Sequence, residues 1–175
     1  MSDLNPPTDS YAAHVYRAYL GEVYGEAMYT TIAMAQTNAR RRAAWLTMVD
    51  LEVAMRERLV STVERLDGDP SLSESSGELD RWRAAGRAEG VDYTRMPWRK
   101  MIARFEHELG DDIERYRALE RGCPVTDAEM LSMLTEHEVV AREFARRELS
   151  GATSTSLDPV RKLIARLRSS PAGSR

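Results

Sequence analysis

The chain has 175 residues, 42% of them hydrophobic and 30% charged, with a formal net charge of −3. That length suits one domain with a core of useful size, and a weakly acidic balance without a basic stripe of interleaved aromatics argues against nucleic acid as a main partner. A single cysteine, Cys123, excludes an internal disulfide framework and is expected to be a buried, inert thiol in a turn.

Residues 1–9 are rich in Pro, Asn and Asp and are expected to be mobile. They carry neither the charge nor the apolar run of a signal peptide. The longest uncharged stretch, Ala27 to Ala39, is too short and too polar to span a bilayer, so a cytoplasmic location is expected. Ser10 or Asp9 caps a first helix running from about Tyr11 to Gln36. After a polar break at Thr37 to Arg40, the stripe Trp45, Met48, Glu52, Met55, Leu59, Thr62, Leu66 defines a second helix. It ends at Asp67-Gly68-Asp69-Pro70, and the two helices form an antiparallel hairpin. From Asp69 to Pro97 the sequence turns Ser-, Gly- and Glu-rich and reads as a long crossover, with one short helix at about Leu79 to Ala85 anchored by Trp82.

Pro97 opens a third main helix at its first turn. Its stripe is Trp98, Met101, Phe105, Glu108, Asp112, Tyr116, Leu119, and Gly122 stops it. Thr126-Asp127-Ala128-Glu129 reads as a capping box for a fourth, whose stripe Met130, Leu134, His137, Ala141, Phe144, Glu148 ends near Gly151. In the tail, 151–175, Asp158-Pro159 begins a short helix with Val160, Leu163, Ile164 and Leu167 on its apolar side. Too short for stable membrane anchoring, it is expected to dock on the bundle or on a second copy of the chain, and its last residues to be disordered. The fold class is therefore all-α: a four-helix bundle over residues 10–150, built as two hairpins joined by a crossover at 69–97, plus a short C-terminal helix.

Each main helix places polar groups where its stripe should be apolar. On the first, the face Val15, Tyr19, Glu22, Glu26, Tyr29, Ala33 includes two carboxylates. Burying an ionised carboxylate costs several kcal/mol or more without a partner. The second offers Glu52, for which Arg56 four residues on supplies the alternative of a solvated ion pair. The third offers Glu108 or Asp112, although Leu109 and Ile113 could form an alternative core stripe that leaves both acids outside. On the fourth, His137 lies between Glu136 and Glu138. Tyr29 and Tyr116 read as core packing. Counted from the hairpin turns, Glu26 and Glu52 are level, and Glu108, Asp112, His137 and Glu138 also lie near mid-helix. Glu22 and Glu52 are separated by the same interval as Glu108 and Glu138, as a duplicated hairpin would leave them. Several carboxylates and an imidazole converging in a bundle core would take one or two divalent cations as the neutralising partner.

With these residues in place, the chain over about 10–150 resembles the ferritin-like superfamily, including rubrerythrin-type proteins and small carboxylate-bridged diiron enzymes. The stretches GEVYGEA and LTEHEVVAREFARREL are similar to small ferritin-like proteins. The resemblance implies a Glu from each of two helices and Glu-x-x-His from each of the others, together holding two metals. Carried over, Glu22 or Glu26 matches on the first helix and Glu108 or Asp112 on the third. Glu52 matches on the second with Met55 in place of the histidine, and Glu138 on the fourth with Ala141 in its place, His137 standing one position away. Such Glu-rich, His-poor ligation suits iron or manganese. The implied function is a non-haem di-iron or iron/manganese oxidase acting on a small organic substrate, with Glu22 and His137 as its catalytic side chains. A metal-storage protein, expected as an assembled shell, and a metal-free helical scaffold with a decayed site are the alternatives; a homodimer is left open.

Overall fold

The structure is a computed structural model that describes residues 10–66 and 77–169. The expectations for residues 1–9, for a helix end at 67–70 and for the last residues of the tail fall outside the described residues.

The protein is all-α, with no strand among the described residues. Helix α1 spans Tyr11–Ala35, and Ser10 Oγ accepts from the Ala13 amide at 3.2 Å to cap it. Helix α2, Ala39–Arg65, starts after a tight break because Asn38 Oδ1 accepts from the Arg41 amide at 3.0 Å. Helix α3 covers Glu78–Thr94, α4 Trp98–Arg121, α5 Ala128–Ser150 and α6 Asp158–Ser169.

The crossover differs from its sequence reading: in place of a short helix at Leu79 to Ala85 it carries the 17-residue α3. Gly86 and Gly90, which suggested loop, are its contact with α1. A Cβ at Gly86 would lie 2.2 Å from the Tyr24 carbonyl oxygen, and one at Gly90 2.7 Å from that of Met28. The absent side chains let two backbones approach closely. The equal advance of both partners, from 86 to 90 and from 24 to 28, shows that α3 runs parallel to α1. Leu79 and Tyr93 are buried near its two ends.

The ends of the bundle fix the other directions. Trp98, at the start of α4, lies under the Arg41 guanidinium at 4.8 Å, and Glu148, near the end of α5, accepts two bonds from Arg40 at 2.7 and 2.9 Å. At the opposite end Asp127 accepts from the Tyr11 hydroxyl at 2.7 Å and pairs with Arg65. So α2 and α4 run against α1, whereas α3 and α5 run with it. Trp45 of α2 is the aromatic hub, with Tyr29, Phe105 and Phe144 from three other helices at centroid distances of 5.4, 5.2 and 6.2 Å. Helix α6 buries Val160, Leu163, Ile164 and Leu167 against α2 and α5, and Arg166 bonds Glu136 at 2.7 Å.

Three further expectations are corrected. The capping box does not form: Val125–Asp127 is a 3-10 turn, and the Asp127 carboxylate is spent on Tyr11 and Arg65 instead of on the amides of α5. Cys123 is half-buried and not a core thiol. On α4 the buried residues are Met101, Ile102, Phe105, Leu109, Ile113 and Tyr116, so Leu109 and Ile113 join the core, Asp112 stays at its edge and Glu108 is exposed. Among the described residues no helix is long and apolar enough to cross a membrane.

Candidate metal centre

Helices α1, α2 and α5 bring Glu22, Glu52 and His137 together, each almost fully buried. One ligand atom from each lies within 4.8 Å of the others. His137 Nε2 bonds Glu52 Oε1 at 2.9 Å and stands 3.4 Å from Glu22 Oε2. Its other nitrogen, Nδ1, is 3.5 Å from Glu138 Oε1, at the outer limit of a contact, and has no hydrogen-bond partner among the described residues. Glu22 Oε2 is likewise buried without one.

Room for this cluster is made by α1. A Cβ at Gly25 would sit 2.3 Å from Glu52 Oε2, so the glycine is what lets the Glu52 carboxylate lie against the helix. A glycine inside a helix costs about 1 kcal/mol relative to alanine, and here that cost opens the site. The GEVYGEAMY stretch held this signal as well as its two acids, and the acids alone were read from it.

Burial is the largest influence on Glu22 and raises its pKa well above the ordinary carboxylate value, with Glu52 and Glu138 adding to the effect against the pull of His137. Glu52 is raised too, by burial first, while His137 pulls it back. Burial alone would lower the pKa of His137, but the neighbouring carboxylates outweigh it and hold the imidazole well above its ordinary value. Burial and the close approach of the carboxylates thus favour proton uptake by the cluster.

The other candidate residues divide. Glu138 is buried beside His137 and lines the same cavity. Asp112 reaches the cavity wall, where it pairs with Arg115 at 2.8 Å, and burial followed by the Glu138 charge pushes its pKa up to about 6. Glu26, expected at the centre, is instead partly exposed at the helix edge and pairs with Arg56 at 3.1 Å. Glu108 is exposed and held by Tyr93 and by Arg104, leaving it on the outer wall. The spacing of four that joined Glu22 to Glu26 and Glu108 to Asp112 turns each pair by about 40° around its helix, enough to separate centre from edge.

Helices α1 and α4 do not pack tightly, and a cavity of about 900 Å³ separates them. Tyr29, Phe105, Leu109 and Tyr116 give it apolar walls, and Trp82 of α3 closes one side. Burial raises the hydroxyls of both Tyr29 and Tyr116 well above the ordinary tyrosine value, which keeps them protonated beside the acids. The contribution of α3 to this wall was missed in the sequence because its glycines read as linker. No family model, curated protein or solved structure matches the chain.

Proposed function

We propose that the protein is a ferritin-like, non-haem metal oxidase in which Glu22, Glu52 and His137 hold an iron or manganese ion beside a cavity for a small organic substrate. The observation that carries this reading is the set of three buried donors on three helices, with Glu22 Oε2 lacking a hydrogen bond. Two carboxylates and one imidazole form a donor set suited to iron or manganese. Two antiparallel hairpins joined by a long crossover support the ferritin-like part of the reading.

The donors fit one ion well. A second, as the resemblance implies, would draw on Glu138 and Asp112, because Glu26 and Glu108 are held by Arg56 and by Tyr93 with Arg104. A bound iron would supply the redox chemistry with dioxygen that the side chains lack. The chain's own part is to fix the donors, with Glu138 placed beside the outer nitrogen of His137. Tyr29, Phe105 and Tyr116 give the cavity apolar walls beside the donors, and Gly25 lets the Glu52 carboxylate lie close to α1. A largely apolar cleft within one chain favours a small-molecule substrate over mineral storage.

The metal-free scaffold has one observation in its favour. Met55 and Ala141, standing where the resemblance puts histidines, are fully packed in the core. The test is oxygen uptake after anaerobic loading with ferrous iron. The oxidase reading expects uptake that depends on Glu52 and is lost in Glu52→Ala; equal uptake in the variant, or none in either protein, contradicts it.

A further inference from the structure

The middle of the cavity holds more acid than the proposed metal uses. The rings of Tyr29 on α1 and Phe105 on α4 meet at a centroid distance of 5.6 Å. On these antiparallel helices Glu22 and Asp112 each lie seven residues from that contact, 22 to 29 and 105 to 112, so they stand level across the cavity. Glu52 and Glu138 join them through His137, whose two nitrogens they flank at 2.9 and 3.5 Å. Glu22, Glu52 and Glu138 are buried, and Glu22 Oε2 has no hydrogen bond.

The fixed cations do not match these four carboxylates. Arg115 pairs with Asp112 at 2.8 Å, Arg104 is shared by Glu89 and Glu108 on the outer wall, and Arg17, toward the start of α1, is already engaged within the protein. A divalent ion held by Glu22, Glu52 and a neutral His137 would offset two of the four central charges and Arg115 a third, so one carboxylate is left over. In a largely apolar surrounding that surplus repels an anion and attracts a cation. A carboxylate has two oxygens and room for several donors, so the pairing of Asp112 with Arg115 does not close it to another. Beyond the acids the lining is apolar, with Met28, Tyr29, Phe105 and Leu109 toward one end and Ala18 and Leu119 toward the other. Small residues on α1 help to make the room: a Cβ at Gly21 would meet the Tyr116 hydroxyl at 3.7 Å and nothing nearer.

We infer that the substrate class is an amine with an apolar arm, its ammonium held between Asp112 and Glu138 beside the metal donors and its arm lying along Tyr29, Phe105 and Leu109. As a statement about a substrate this rests on the oxidase reading, whereas the binding itself is carried by the cavity. An ammonium brings three donors to the carboxylates around it. An alcohol of the same shape leaves the surplus charge unanswered, and an acid adds to it.

The test uses the full-length chain, first metal-free and then loaded with manganese(II). Phenylbutylamine, phenylbutanol and phenylbutanoate share one skeleton and are titrated near neutral pH while tryptophan fluorescence is followed, since Trp82 lines the cavity. The amine is expected to bind more tightly than the alcohol by about tenfold or more. Phenylbutanoate should be the weakest of the three, and the affinity of the amine should fall as salt is raised. Asp112→Asn should weaken the amine by about threefold or more and leave the alcohol unmoved. Should that variant misfold, the ligand order and salt dependence of the wild type still decide. Equal binding of amine and alcohol, preference for phenylbutanoate, no binding of any, or loss of amine binding on manganese loading overturns the inference. Failure to take up manganese with the amine preference intact would overturn only the oxidase reading, and manganese uptake without that preference only this inference.

Discussion

Glu22 Oε2 is buried without a hydrogen bond, 3.4 Å from His137 Nε2, and burial favours the protonated acid. Glu22, Glu52 and His137 all have raised pKa values in the folded state. Groups of this kind bind protons more tightly folded than unfolded, so their stabilisation is complete below the unfolded pKa and is lost as pH rises through the folded one. The loss begins above the ordinary value of 4.5 for the two glutamates and of 6.5 for His137. The metal-free protein should therefore melt at a lower temperature at about pH 8 than at about pH 5. Glu22→Gln should flatten that slope and raise the pH 8 melting temperature; an unchanged slope would place its origin outside the cluster. His137→Ala leaves buried carboxylates without their cation and should cost on the order of 3 kcal/mol in urea unfolding near neutral pH. The sequence marks Glu22, Glu26, Glu52 and His137 as inward polar groups, because each interrupts an apolar stripe. It could not separate Glu22 from Glu26, since both lie on one broad face and the choice is made by Arg56, which takes Glu26 at 3.1 Å.

Helix α3 shows how one residue type supports opposite readings at the level of the element. Gly86 and Gly90 lower helix propensity and suggest a linker, yet they form the surface on which α3 meets α1. Their spacing of four was the available sign of close helix contact. Gly86→Ala should destabilise the protein by about 1–3 kcal/mol, because the added carbon meets backbone that cannot yield. Gly110→Ala on α4 meets only the Arg142 guanidinium at 3.5 Å, the end of a flexible side chain. It should stabilise by up to about 1 kcal/mol through helix propensity. Chemical denaturation of the pair separates packing from propensity, and the same sign for both would refute the contact. Helix α6 was legible from its apolar spacing, but the sequence left its dock open between bundle and second subunit. Its four buried side chains lie against α2 and α5 of the same chain. Removing residues 158–175 should lower the melting temperature by several degrees; no change would mean that this packing adds nothing.

The order of helices over the whole molecule followed from apolar periodicity and from the stop signals at Gly122 and Gly151. What periodicity could not supply is the empty volume between α1 and α4, because a cavity is a property of side chains that fail to meet. The centre and cavity meet where Glu22, Glu52 and His137 line its inner end. At the proposed metal site a cation would compete with protons for these donors, so its affinity should rise with pH. The most direct measurement is a calorimetric titration of the metal-free protein with manganese(II) or, without oxygen, iron(II), at about pH 6 and about pH 8. The proposed metal site predicts at least one ion per chain, tighter binding at the higher pH, and loss of that binding in Glu22→Gln and Glu52→Ala. Unchanged binding in both variants, or none by the wild type with either metal, would contradict it.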